Sequence, residues 1–428
     1  MTRTHNPDAS NSFNERWLLI SKLMFFCIGV IELCMGESIF HTGAEIHSIS
    51  NSGTKRNMMA CIAFAIGSVL YSGIADESKK YGSTLAVCII GHVLIILGMK
   101  VCPLQTFIDQ DTREMCFELL QIVRHFLMAG FHPIANAIAL SSKGSFGSQR
   151  MFLPLGRLFM TLILLVSSDV NVRFGVLVFF SSVSLAAIFI FEIKVKSFDK
   201  SKEQMIDNDQ PVSDDEPILV SPFRKLLTEP KFIVLCIGLL IAGINDIFIQ
   251  ASWKSQFLFV TGYRYRGNMK LGTTFVFCIA EALIYFFDDQ IIQFLGKNLI
   301  MALGLILLII RALCFAFMTP ENIKMKLFIL NFAQGFLSGL FGLAAVHCAS
   351  DLVSGSTSAI AQSIFYIVPS GLATFLVNLY LNAINNFTLN NVKGSYIGIS
   401  VLSSIILIPT MFLDKIFPKK SSQKTSTV

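Results

Sequence analysis

Long apolar stretches alternate with short polar ones along almost the whole chain. Apolar runs of about 20 residues, the length a helix needs to cross a bilayer, recur near 17–40, 57–75, 83–102, 116–140, 151–169, 173–193, 231–257, 270–290, 297–318, 326–350, 357–384 and 394–414. The pattern predicts twelve membrane-spanning helices. Several runs are longer than a straight crossing requires, which implies tilted helices or ends reaching past the bilayer. One polar stretch, from Val195 to Pro230, carries charges and prolines and holds no membrane-length apolar run. It reads as a linker with a short surface helix at "SPFRKLL". It divides the spans six and six. The expected organisation is a tail over 1–16, a six-helix bundle over 17–194, a linker over 195–230, a second bundle over 231–414 and a basic tail over 415–428. Such halving is the mark of a two-half transporter with pseudo-symmetry.

Composition agrees. Of 428 residues 53% are hydrophobic and 14% charged, with a mean hydropathy of +0.64. A soluble chain would carry about 25% charged residues. The first residues are polar, and no small-residue cleavage site follows a short apolar core, so a cleavable leader is not expected. Lys and Arg are more numerous on the face that holds the two tails and the linker, which predicts cytosolic termini. The formal charge of +6 is then a topology signal, met by acidic lipid headgroups, and nucleic acid is not an expected partner. The plasma membrane is the prior for location.

Motifs of enzymes are missing: no Walker loop, no HExxH, no Cys-x-x-Cys pair and no Gly-x-Ser-x-Gly elbow. His125 and His132 share a helix face, but no carboxylate or Cys completes a metal site. His92, His125 and His132 read as packing or hydrogen-bonding residues. No cofactor or metal is expected. The expected partners are a small solute, the lipid bilayer and, if transport is coupled, protons; the expected state is a monomer. The ten Cys lie mostly in apolar runs, as small hydrophobes do. Cys102 and Cys116 flank one outer loop, where a disulfide is geometrically allowed, and Asn386 heads a glycosylation sequon.

Charge inside the spans carries the chemistry. Glu281 sits in the eighth run and Arg311 in the ninth. A charge near the bilayer centre costs roughly 2.5–3.5 kcal/mol on insertion scales, so both should face the interior and find partners. At 1.5 Å per residue Glu281 lies roughly 16 Å from one side and Arg311 roughly 21 Å from the other. Across a slab of about 30 Å a long Arg side chain closes the remaining gap. One reading is a structural ion pair stapling two helices. The other is a proton-coupling pair, because separating a buried carboxylate from its cation drives its protonation.

Four stretches carry a resemblance, one of them "NFAQGFLSGLFGLAAVHCASDLVSGSTSAIAQSIFY", which is similar to span 10, loop and span 11 of the lactose-permease-like branch. "SGIADESKK" is similar to the loop between spans 2 and 3 of the major facilitator superfamily, with Ala75 and Asp76 matching and Ser72 at its first Gly. "FGSQRMFLPLGRL", from Phe146 to Leu158, resembles a pattern of the lactose-permease-like branch, which includes phenylpropionate permease and nucleoside–proton symporters. "AEALIYFFDDQIIQFLGKNLIMALGLILLIIR" keeps Glu281, Gly296 and Arg311 at that branch's spacing. The resemblance implies an all-α fold of two pseudo-symmetric six-helix bundles and a secondary active transporter. It also implies proton coupling by Glu281 and Arg311. Where the lactose permease has a His and a carboxylate on span 10, this chain has Gln334 and Leu337. Its sugar site has a Glu, an Arg and a Trp where this chain has Asn136, Arg150 and Arg157.

Arg157 thus adds a second cation near the expected cavity, with Arg124 and Lys254 as further candidates and Glu32, Asp246 and Glu281 as acids. Guanidinium groups suit phosphate or carboxylate, which tilts the expectation toward an anionic or nucleoside- or nucleotide-like solute. Each cation also has a plainer reading: Arg157 pairing with a nearby acid, Arg124 packing between helices, Lys254 snorkelling outward. His347 faces either cavity or headgroups. Asp76, Lys79 and Lys80, with Asp288 and Asp289 in the equivalent loop of the second half, are expected to latch helix ends on the cytosolic side. A sugar–proton symporter and a transporter-shaped receptor remain the alternatives.

Overall fold

The structure is a computed structural model. It describes residues 17–34, 53–101, 109–141, 145–167, 169–203, 230–261, 267–319, 321, 323–352, 358–383 and 389–412. Among these every regular element is helical. The described residues make twelve passes: α1 (Trp17–Cys34), α2 (Gly53–Ser78), α3 (Tyr81–Val101), α4 (Gln110–Met128 and Phe131–Ser141), α5 (Phe146–Arg150 and Phe152–Val166) and α6 (Val170–Glu203) form one half. The second half holds α7 (Pro230–Thr261), α8 (Gly267–Phe286), α9 (Asp288–Ala316), α10 (Ile323–Leu352), α11 (Ser358–Ile367 and Ala373–Ala383, joined by a π turn) and α12 (Leu389–Met411). Ten of these passes are long and apolar enough to cross a membrane on their own sequence. The apolar part of α8 is shorter, Leu271–Phe286, and α4 carries Asp111, Glu118 and Arg124. Leu19, Ile66, Leu94, Phe179, Ile310 and Ile405 stand exposed on the outer wall. Such a surface suits lipid and not water.

Glycines set the crossings, and they do so twice over. Gly29 of α1 lies against the carbonyl of Leu153 in α5, and Gly156 of α5 against that of Phe26 in α1. Their counterpart in the second half is Gly243 of α7 against the carbonyl of Pro369 in α11. Likewise Gly67 of α2 meets the carbonyl of Phe126 in α4, and Gly335 of α10 meets that of Phe277 in α8. A side chain at any of these positions would hold the backbones apart. The repeat of the two halves is visible in which helices touch. The halves meet along α2 and α11 and along α5 and α8.

Two expectations change here. Helix α6 runs past Val195 to Glu203, and 204–229 lie outside the described residues. The loop expected around Asp288 is helical: α9 starts at Asp288 and kinks at Gly296, whose φ of 71° suits glycine. Two prolines sit at breaks of α5 and α11. Pro154 follows the interruption at Met151, and Pro369 lies in the π turn Val368–Leu372.

Candidate functional site

Between the halves lies a cavity of about 250 Å³. The Gly29 and Gly156 crossing brings α1 within reach of α5, so Glu32, one turn beyond Gly29, meets Arg157. Its Oε2 accepts from Nη2 of Arg157 at 2.8 Å and from Nε at 3.2 Å. The remaining Nη1 of Arg157 crosses to the other half and donates to Oε2 of Glu281 at 3.0 Å. The Gly335 crossing sets α10 against α8, and Ser338 of α10 donates to Oε1 of Glu281 at 3.0 Å. On the other side of Glu32, its Oε1 contacts Nε2 of His132 in α4. Glu281 is 3% exposed. One guanidinium thus serves two acids drawn from opposite halves.

Two further polar groups line the cavity. Arg150 donates to Oδ1 of Asn136 at 2.9 Å and lies over the Phe25 ring, 5.3 Å from its centre. Asn136 in turn reaches across the halves to Oε1 of Gln362 in α11 at 3.5 Å. In the second half, Gln334 of α10 donates to Asp246 of α7. Arg311 of α9 backs the same carboxylate, with Nη1 3.8 Å from Oδ1. Arg311 is buried, 2% exposed, while Asp246 is 32% exposed toward the cavity. The expected pairing of Glu281 with Arg311 is therefore not the one formed. Helices α8 and α9 diverge after the turn at Phe287, so Arg311 finds the acid of α7 and Glu281 the guanidinium of α5.

One end of the cavity is sealed by two matching acids. Asp76, at the end of α2, accepts the backbone N–H of Ile360 at 2.8 Å and of Ala359 at 3.2 Å, in the first turn of α11. Tyr81 also donates to it at 2.7 Å. Asp288, at the start of α9, accepts the N–H of Gly147 in the first turn of α5 at 2.7 Å. Each acid caps a helix of the opposite half, where the unpaired N–H groups and the helix dipole favour a negative charge. His347 belongs to this end and not to the cavity: its Nε2 is 3.4 Å from Oδ1 of Asp288. Lys79, Lys80 and Asp289 are exposed there.

Arg124 is buried in α4, bonded to Gln121 at 3.2 Å and away from the cavity-lining residues. The backbone of Lys254 belongs to α7, but its side chain lies outside the described residues, as do Cys102 and Asn386. Leu337 lines the cavity. His132, read from sequence as a packing or hydrogen-bonding residue, is a cavity residue whose ring lies against Tyr366 of α11 with centroids 4.5 Å apart. Tyr285, Gln362 and Tyr366 were also missed. An uncharged polar residue in an apolar run is an ordinary sight, and only the helix rotation tells which of them faces the cavity. No cluster of metal-ligating side chains occurs among the described residues.

The model of the MFS_1-like family matches residues 56–380. No curated protein matches the chain in sequence. Among solved structures, a point mutant of the nucleoside transporter NupG superposes with a TM-score of 0.59 at 13% identity, covering 93% of this chain and 99% of that one. A second NupG structure gives 0.56 at 14% identity, covering 94% and 99%. At such identity the likeness is one of fold.

Proposed function

The chain belongs to the MFS_1-like family, a family of integral membrane transporters, and from that premise we propose that it moves a small uncharged polar solute of nucleoside type by proton-coupled alternating access. The observation that carries this reading is Arg157, which bonds Glu32 of its own half and Glu281 of the other. Rocking the halves apart at this level would break the second bond and spare the first. Glu281 would keep only the Ser338 hydroxyl, in surroundings that disfavour a bare carboxylate, and would take up a proton. The partner in coupling is then Arg157, with Arg311 serving Asp246.

The nature of the solute follows from charge balance. Arg157 in the cavity wall is matched by Glu32 and Glu281, and Asp246 by Arg311. The tilt toward an anion rested in part on Arg157, which is committed to two acids. What the wall offers instead is aromatic rings, Tyr285, Phe341, Phe365 and Tyr366, beside the amides of Asn136, Gln334 and Gln362. Rings suit a flat heterocycle and amides suit its donor and acceptor edge. The likeness to a nucleoside transporter supports the same class. In this reading the rocking units are 17–194 and 231–414, the sealed end and the termini face the cytosol, and a monomer in the plasma membrane does the work.

Uptake into proteoliposomes tests this. Radiolabelled uridine should accumulate under an inward proton gradient, with competition by other nucleosides and little by uridine monophosphate or lactose. Binding without accumulation or exchange would mark a receptor instead. Uptake indifferent to the gradient, with Glu281→Gln fully active, would remove the coupling.

A further inference from the structure

The outer wall of the second half carries a groove between α9 and α10, at the end of these helices opposite the Asp288 seal. It measures about 430 Å³, and its lining includes Leu313, Cys314 and Phe317 at the end of α9 and Ile329 and Leu330 of α10, with Lys326 among them. Phe317 and Ile329 stand exposed, so the groove opens toward lipid. The exposed face of α9 continues toward the middle of the helix through Ile310 and Ile306. A second groove, of about 440 Å³, flanks the α9 kink, with Phe287, Gln290 and Phe294 in its wall. It holds no ionised side chain, and ordinary surrounding lipid satisfies it. The groove at Lys326 differs, because there a cation stands in an apolar wall.

That cation is not spent on an acid. Nζ of Lys326 donates to the Thr319 hydroxyl at 2.6 Å, and no carboxylate pairs with it among the described residues. The Thr319 contact holds the amine at the edge of the groove, where a free lysine would snorkel into water. An ammonium has three N–H donors and a hydroxyl has one. Two donors of Lys326 and the O–H of Thr319 are thus left for a ligand. Lys324 and Glu321 are exposed in the same turn, and their charges offset each other.

We propose that this groove is a binding site for one anionic phospholipid. An acyl chain lies along Leu313, Ile329 and Leu330, and a phosphate oxygen accepts from Lys326 and Thr319. The apolar lining matches the chain and the cation matches the headgroup, which a single amphiphile satisfies together. A zwitterionic lipid suits the site less, because the cation of its own headgroup lies close to the phosphate and repels Lys326. The groove belongs to one half and is apart from the α2–α11 and α5–α8 contacts that join the halves. Lipid bound there stabilises the second half without bridging the two, so the inference stands independently of the solute and of its coupling.

Native mass spectrometry tests this on the full-length chain released from mixed micelles of phosphatidylglycerol and phosphatidylcholine. The wild type should retain one phosphatidylglycerol in preference to phosphatidylcholine. Lys326→Gln should cut that preference about fivefold, the weight of one lysine at an anionic lipid surface. Cys314→Trp fills the groove and should displace the lipid with Lys326 still in place. In phosphatidylcholine alone, wild type and Lys326→Gln should melt at similar temperatures, and added phosphatidylglycerol should raise the wild-type melting temperature and leave that of the variant level. A wild type without preference, or a preference unchanged in Lys326→Gln, overturns the proposal. Retention unchanged in Cys314→Trp also overturns it, since the chain then lies elsewhere. Displacement of the lipid by inorganic phosphate would overturn it as well, marking an anion site that holds no acyl chain.

Discussion

Arg311 faces Asp246, with Nη1 3.8 Å from Oδ1, and no ion pair joins it to Glu281 among the described residues. The two acids are on different helices, and the cation on α9 is committed to one of them. A double-mutant cycle separates the possibilities. Arg311→Met and Asp246→Asn should couple by about 1–3 kcal/mol, as contacting residues do. Arg311→Met and Glu281→Gln should be additive within about 0.5 kcal/mol. Unfolding in detergent is the readout, and strong coupling of Arg311 to Glu281 would contradict the geometry.

Loss of Glu32 should harm stability more than loss of Glu281. Glu32 accepts two hydrogen bonds from Arg157 and contacts His132, whereas Glu281 holds Arg157 by one bond. Removing one member of a buried ion pair costs about 3–5 kcal/mol when the partner is left uncompensated. In Glu281→Gln, Arg157 still has Glu32, so the cost should fall well below that range. Thermal unfolding of Glu32→Gln and Glu281→Gln should therefore differ, with Glu32→Gln the lower.

The two end seals should fail independently. Each rests on a carboxylate accepting backbone N–H groups, and hydrogen bonds to a charged group are worth about 1.5–3 kcal/mol. Asp76→Asn should raise hydrogen exchange at Ala359 and Ile360 about tenfold or more, while Gly147 stays protected. Asp288→Asn should do the reverse. Exchange that rises at both sites in either variant would mean that the seals open as one unit.

Gly156→Leu should be among the most damaging single changes. A side chain there would collide with the carbonyl of Phe26, and overpacking commonly costs about 1–3 kcal/mol or more. Prising α1 from α5 also separates Glu32 from Arg157. Gly398→Ala is the control: nothing stands within contact of its Cβ position, and the site is exposed on α12. Melting temperature in detergent should fall sharply in Gly156→Leu and stay level or rise slightly in Gly398→Ala.

Much of the fold was legible because a bilayer imposes one rule on every span. Twenty apolar residues in a row can hardly be anything else in a chain with so little charge, so the number of passes and the six-and-six division could be read directly. Asp76 and Asp288 could be placed at one end from their position in equivalent loops. Charges such as Glu281, Arg157 and Asp246 announced themselves, since an ionised group in an apolar run needs a reason to be there.

Which charge meets which was not legible. Depth along a helix follows from counting residues, but a partner depends on helix rotation and on which helices are neighbours. Glu281 and Arg311 have compatible depths and adjacent positions in the chain, yet α9 turns away and α5 of the other half comes in. His132 and Tyr366 were invisible as site residues for the same reason. The sequence by itself determined the number, length and lipid-facing character of the helices, because those depend on local hydrophobicity. Only the tertiary structure decided the contacts of Arg157 with Glu32 and Glu281, because they depend on glycine crossings between helices far apart in the chain.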